Sequence, residues 1–221
     1  MSPRQVKNLL YEQVTRIGKA VASPRRLELL ELLSQCEKSV ETLAKNADLS
    51  VKLASVHLKE LKAARLVDSR KAGRRVYYRL ADPAVASLCV MMRMLAEERL
   101  LDLQDAIRRF VSEPGELFPA DRHALLGKAR RGEVIIIDVR PDDEYQAGHL
   151  PYARSLPLGE LKKRLARLPK DKEIIAYCRG PYCMMAKEAV ALLRRRGYQA
   201  AKLGDGVNEW RAAGLALAVE Q

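Results

Sequence analysis

Apolar residues recur every three or four positions through most of residues 5–110, the spacing of one face of an α-helix. Val6, Leu9, Leu10, Val14 and Ile17 form the first stripe. Ser23-Pro24 then predicts an N-cap followed by proline at the first helical position, opening PRRLELLELLSQ. Two shorter helices are predicted at about 40–46 and 50–65. In the second, Ser50 is the cap and Leu53, Val56, Leu58, Leu61 and Leu66 are packing positions. The period next shortens: LVDSRKAGRRVYYRLA reads as two strands around a Lys-Ala-Gly turn, with Val76, Tyr78 and Leu80 on one side. Asp82-Pro83 starts a long helix predicted to reach about Phe110, where Leu88, Met91, Met92, Leu95 and Leu103 make a stripe suited to a core or a dimer interface.

SEPGELFP, residues 112–119, breaks this pattern with two prolines and a glycine. Beyond it strands alternate with helices. EVIIID (133–138) is a continuous apolar run, as expected of a strand buried on both faces. EIIAY (173–177) and AAKL (200–203) are its expected partners. Helices fit about 121–131, 142–147, 158–166, 183–196 and 206–213. The chain therefore divides into a mainly-α domain (1–111), a linker (112–119) and an α/β domain with a parallel sheet (120–221).

The composition is consistent with two soluble cores: 48% of the 221 residues are hydrophobic. No apolar run approaches the roughly 18 residues of a membrane span. The charged, amphipathic N-terminus lacks the features of a secretory leader, so a cytoplasmic protein without a membrane partner is expected. In that reducing setting the four cysteines read as reactive or buried thiols rather than a disulfide framework. The net charge of +12 is uneven. Residues 50–79 carry nine basic side chains against two acidic ones, Glu60 and Asp68. Such a local excess is the footprint of a phosphate-binding surface.

Two short helices, a turn and a basic hairpin are the parts of a winged helix-turn-helix, whose second helix enters the DNA major groove. On that reading Ser50, Lys52, Ser55, His57 and Lys59 face DNA from the helix, and Arg70, Lys71, Arg74 and Arg75 reach it from the hairpin. The stretch from SPRRLELLELL through SVETLAKNADLSVKLASVHLKELKAARLVDSRKAGRRVYYRLADP resembles the ArsR/SmtB family of bacterial repressors, over about residues 6–110. The resemblance implies a homodimer, built through the first and last helices, that binds double-stranded operator DNA and releases it when an inducer binds. The stretch VETLAKNADL holds no cysteine and residues 82–110 hold no histidine, so the family's usual metal-sensing positions are vacant here. Cys36 and Cys89 read as buried small hydrophobes or, alternatively, as a candidate redox pair.

The sharpest chemistry lies in AYCRGPYCMMAKEA, residues 176–189. Cys178 follows a buried strand and precedes a helix, so converging backbone N–H groups and the helix dipole are expected to lower its pKa. Arg179 is beside it, while Gly180 and Pro181 favour a tight turn. A staple from Cys178 to Cys183 would enclose only four residues. Two cysteines are too few for a structural zinc site. An activated nucleophile is the leading reading, and no metal or cofactor is called for.

IIIDVRPDDEYQAGHLPYARSLPL, the cysteine loop and AKLGDGVNEWRAAGLAL together resemble a single-domain rhodanese, a sulfurtransferase, over about residues 117–218. The resemblance implies that Cys178 carries sulfane sulfur as a persulfide and exchanges it with a small donor or thiol acceptor. Arg179, Gly180, Pro181, Tyr182 and Cys183 form the rim, and Asp138, Arg140 and His149 support it. Many rhodaneses have arginine where Cys183 stands. That departure points away from thiosulfate and toward a persulfide or polysulfide donor, with Cys183 resolving Cys178. The expected protein is a repressor joined to its own sulfur-handling domain. Two other readings stay open: a sulfurtransferase tethered to DNA without sensing, and a repressor that answers arsenic or another thiophilic ion through its cysteines.

Overall fold

The computed structural model describes residues 1–112 and 122–219, so most of the expected linker lies outside the described residues. The chain separates into two compact units, Met1–Cys89 and Val90–Gln221.

The first unit is a winged helix. Helices α1 (Pro3–Val21), α2 (Pro24–Gln35), α3 (Val40–Asn46) and α4 (Val51–Ala63) precede a hairpin of β2 (Val67–Ala72) and β3 (Arg75–Leu80). A two-residue strand, β1 (Lys38–Ser39), completes an antiparallel sheet in the order β1-β3-β2. Gly73, at φ +59°, supplies the left-handed residue of the hairpin turn. Leu29, Leu30, Leu43, Ala54, Leu58 and Leu61 form the buried core. Ser39 and Ser50 cap α3 and α4 by accepting from Thr42 N and Leu53 N. Ser23 holds the N-cap position of α2 without a side-chain bond.

Two packing expectations need correction. Leu53 and Val56 are 44% and 49% exposed, and Ala54 is the buried residue on that turn of α4. The face that packs inward follows 54, 58 and 61, leaving 53 and 56 to solvent. The last long helix is also interrupted. Helix α5 (Pro83–Arg99), which begins in the first unit, stops at Leu100. There the backbone is extended, with φ −104° and ψ 106°. Helix α6 (Leu101–Ala106) and one π-helical turn (Ile107–Val111) follow. Gln104 Nε2 donates to the carbonyls of Glu97 and Glu98 at 2.8 and 3.2 Å, satisfying groups that the break frees. Met91, Met94 and Leu95 on α5 are exposed, as are Val6, Leu9, Leu10 and Val14 on α1.

The second unit has the order α7 (Arg122–Arg130), β4 (Val134–Asp138), α8 (Asp142–Ala147), β5 (Arg154–Ser155), α9 (Leu158–Arg164), β6 (Glu173–Tyr177), α10 (Met185–Arg195), β7 (Ala200–Lys202) and α11 (Val207–Ala212). A short 3₁₀ turn, Leu165–Arg167, extends α9. The four strands are parallel in the order β5-β4-β6-β7, so both faces need cover. Alternation along the strands decides which residue faces where. Ile135, Ile137, Ile174, Ala176 and Cys178 pack with Leu161, Ala189, Val190 and Leu193 on one face. Val134, Ile136, Ile175 and Tyr177 pack with Leu125, Val207 and Trp210 on the other. Strands β1 and β5, each of two residues, are too short to show alternation in the sequence. Among the described residues, no helix is long and apolar enough to cross a membrane.

Candidate functional site

The end of β6 sets the site. Asp138 is a strand position on the same face as Tyr177, and Cys178 falls on the opposite one. Asp138 and Arg140 are both fully buried and paired. Arg140 Nη2 donates to Asp138 Oδ2 at 2.6 Å and Nε to Oδ1 at 3.0 Å. Arg140 Nη2 also reaches Gly148 O at 2.8 Å. The Tyr177 hydroxyl donates to Asp138 Oδ2 at 2.6 Å and accepts from Leu150 N at 3.1 Å. Burial, joined by the Asp138 charge, pushes the Tyr177 hydroxyl well above its usual range, so it stays a donor. Every strong group in this cluster has partners, the condition under which a buried ion pair is tolerated. Val139 N closes on Tyr177 O at 3.1 Å, which locks the residue before Cys178.

From that anchor the loop 178–183 turns back into α10. Cys178 is buried, Cys183 is half-buried, and both are free thiols. The Cys178 S–H lies 3.3 Å from the Cys183 carbonyl and 3.9 Å from that of Gly180. Burial pushes the Cys178 thiol well above the usual thiol range, and the negative Cys183 sulfur adds to this. Cys183 moves the other way, down to about 6. The hydrogen bond from Cys178 is the main cause; burial opposes it, and the N–H groups of Met185 and Arg179 assist. The expected direction at Cys178 is thus reversed, because burial outweighs the N–H groups of Ala186 and Gly180 that do point at its sulfur. The two thiols are therefore shifted apart, Cys178 upward and Cys183 downward, and titrate as a coupled pair.

The rim differs from its simplest reading. The Arg179 guanidinium turns onto Glu144, with Nε 3.0 Å from Oε2 and Nη2 2.8 Å from Oε1. Its side chain therefore steadies the loop, while its backbone N–H serves Cys183. The buried Lys202 ammonium donates to Pro181 O at 3.2 Å. Cys183 N donates to Gly180 O at 3.1 Å, closing the turn, and Tyr182 is exposed. Gly206, at the head of α11, is indispensable for space: a Cβ there would stand 2.3 Å from Arg179 O and 2.7 Å from Gly180 N. His149 is buried and stacks on Tyr145, with ring centroids 3.7 Å apart. Its Nδ1 pairs with Tyr145 O at 2.9 Å, and its backbone bonds run to Ala218.

Sequence reasoning missed Glu144, Lys202 and Gly206. The one visible signal was a lysine inside the apolar strand AAKL; a charge there needs a buried partner.

The first unit spreads a second, basic surface. Lys52 and Lys59 are exposed on α4, and Lys71, Arg74 and Arg75 are exposed on the hairpin. Ser50 is occupied as the α4 cap. Ser55 and His57 are half-buried, and His57 Nδ1 is turned into the protein without a hydrogen-bond partner. Arg70 is held by Glu37, with Nε 2.9 Å from Oε2, and lies 5.0 Å from the Tyr77 ring centroid. Leu53 and Val56 are exposed on α4. Cys36 and Cys89 are both half-buried. Lys38 Nζ donates to Cys36 Sγ at 3.2 Å. Burial, with Glu31 assisting, pushes Cys89 up to about 11.

Comparison with known proteins matches residues 23–69 to the model of bacterial regulatory proteins of the arsR family, and residues 121–213 to the rhodanese-like domain. The HTH-type transcriptional regulator Rv0324 of Mycobacterium tuberculosis H37Rv is 44% identical over 209 residues, covering 95% of this chain and 92% of that protein. The chain belongs to the ArsR family of transcriptional regulators. Its second unit carries a rhodanese-like domain, and a sulfurtransferase of Allochromatium vinosum is 30% identical over 86 residues, 38% of this chain and 78% of that protein. The solution structure of the homodimeric winged helix-turn-helix domain (fragment 1–100) of Mb0332 from Mycobacterium bovis is 41% identical, with a TM-score of 0.42 over 46% of this chain and 93% of that one. As an ArsR-family regulator the chain is a DNA-binding protein.

Two outcomes follow from the thiol pair. Iodoacetamide labelling of Cys183, followed by mass spectrometry across pH, is expected to rise through a midpoint of about 6. In Cys183→Ser, labelling of Cys178 should begin only above the ordinary thiol range. A Cys178 midpoint below that range in the variant contradicts the assignment. Gly206→Ala should cost about 1–3 kcal/mol in denaturant unfolding and return the Cys183 midpoint toward the ordinary thiol value; an unchanged midpoint contradicts the close approach.

Proposed function

We propose that the protein is a homodimeric repressor whose rhodanese domain accepts sulfane sulfur at Cys178 and thereby releases operator DNA. The observation that carries this reading is the pairing of two free cysteines in one six-residue loop, with the Cys178 sulfur 3.3 Å from the Cys183 carbonyl. The Cys183 thiolate is the base within reach. As Cys178 attacks the terminal sulfur of a persulfide R–S–SH, its proton passes to Cys183, a new S–S bond forms, and R–S⁻ leaves. Cys178 is then a persulfide. Cys183 passes that proton to the departing R–S⁻, attacks the Cys178 sulfur as thiolate, breaks the S–S bond of that persulfide and expels HS⁻. The product is a Cys178–Cys183 disulfide: two protein thiols are oxidised, and the sulfane sulfur is reduced to sulfide. A dedicated resolving thiol suits a switch, because the loop ends in a new covalent state rather than returning at once to the start.

The donor class follows from the charges around the loop. A sulfonate-bearing donor such as thiosulfate needs a cation in the cup, and Arg179 commits its guanidinium to Glu144. A persulfide or polysulfide needs none. DNA binding rests on Lys52 and Lys59 from α4 and on Lys71, Arg74 and Arg75 from the hairpin, as point charges on phosphates. Dimer formation accounts for the uncovered apolar faces of α1 and α5.

The test is fluorescence anisotropy on the DNA upstream of the gene, with reduced and polysulfide-treated protein. Polysulfide is expected to weaken wild-type binding about tenfold and to leave Cys178→Ser bound. Equal release of both proteins contradicts sensing at the loop. Tight binding of both under polysulfide leaves a DNA-tethered sulfurtransferase as the better reading.

A further inference from the structure

Arg93 lies on α5, outside the residues matched to the rhodanese-like domain. Within the unit Val90–Gln221 it nonetheless meets the sulfur loop. Its Nη2 donates to Glu209 Oε1 at 2.7 Å and its Nη1 to Glu97 Oε1 at 2.8 Å. Its guanidinium carbon stands 5.8 Å from the centroid of the Tyr182 ring. The Arg93 and Glu209 side chains keep only 17% and 10% of their exposure, so this pair is screened far less than a surface bridge.

Two paths join the loop to this one guanidinium. Tyr182, the neighbour of Cys183, lies against it directly. On the other path, Glu209 Oε2 accepts from Gly206 N at 2.8 Å, and Gly206 is pressed against the Arg179 carbonyl and Gly180 N. We infer that Arg93 is a relay beside the sulfur loop: it passes the state of the Cys178–Cys183 pair into α5 and takes no part in the sulfur chemistry. This rests on the function proposed above. When the disulfide forms, the two sulfurs are drawn to bonding distance, and Tyr182 must follow Cys183. The ring then leaves the guanidinium, and Arg93 is redistributed between Glu97 on its own helix and Glu209 on α11. Met91, Met94 and Leu95, the exposed apolar side chains of α5, sit within a turn of Arg93, so a shift of this helix acts on the surface assigned above to the dimer. The sequence shows no sign of this contact: Arg93 reads there as one charge between two methionines.

The experiment uses the full-length protein, inorganic polysulfide as the probe, upstream DNA read by anisotropy, and intact mass to follow sulfur addition and disulfide formation. Arg93→Met is expected to take up sulfur and form the disulfide as the wild type does. Its polysulfide-induced loss of DNA affinity should fall from about tenfold to under about twofold. Arg93→Lys keeps the charge on Glu209 but loses the planar group over Tyr182. It should give an intermediate response, and it carries the test if Arg93→Met does not fold. Release of either variant at the wild-type dose and extent overturns the proposal. So does failure of a folded variant to take up sulfur, because Arg93 would then serve the chemistry rather than its transmission. A wild type that forms the disulfide and stays on DNA refutes the function proposed above, an outcome the wild-type arm alone reveals.

Discussion

The second unit depends on one buried ion pair. Asp138 ends β4, Arg140 begins the turn after it, and Tyr177 ends β6; their side chains meet with no exposure to solvent. Two charges so placed are costly unless every lone pair and proton finds a partner. Here the Gly148 carbonyl, Leu150 N–H and Tyr177 hydroxyl complete the set. The return is positional: the cluster fixes the backbone at Tyr177, so the next residue, Cys178, must project from the opposite face of the sheet, under α10. Loss of either charge would leave the other unpaired in the interior, the costliest kind of defect a core can hold.

Above that anchor, burial and hydrogen bonding compete for one proton. Burial makes Cys178 a poor thiolate by itself. The same hydrogen bond that keeps it protonated makes Cys183 a good one. One sulfur is buried with N–H groups around it, and the other is half-buried and shifted the opposite way. The loop's own side chains are spent on structure. Arg179 is paired with Glu144, and the Pro181 carbonyl is held by Lys202.

Much of this was legible in the sequence. The winged helix showed itself through helical spacing and a basic hairpin, and the α/β unit through the apolar runs EVIIID and EIIAY. Both families followed from ordered motifs. The failures are local and have physical causes. Leu53 and Val56 looked like core because apolar identity reports preference and not orientation; only the position of Ala54 on the helix shows which face is inward. The break at Leu100 has neither proline nor glycine to announce it, since a side chain 4 residues on, Gln104, makes it affordable. The direction of the Cys178 shift was misread because sequence shows a helix start but not the depth of burial that opposes it. Glu144 and Gly206 act across long sequence separations, which no local pattern encodes.

The central claim is that the covalent state of Cys178 and Cys183 sets occupancy of DNA. It is tested most directly by following both in one time course: stopped-flow anisotropy of the DNA complex after polysulfide addition, with acid-quenched samples read by intact mass and peptide mapping. The account predicts sulfur on Cys178 first, a Cys178–Cys183 disulfide next, and DNA release at the rate of the disulfide. Release that precedes any change at these two sulfurs, or a disulfide that forms while DNA stays bound, would contradict it.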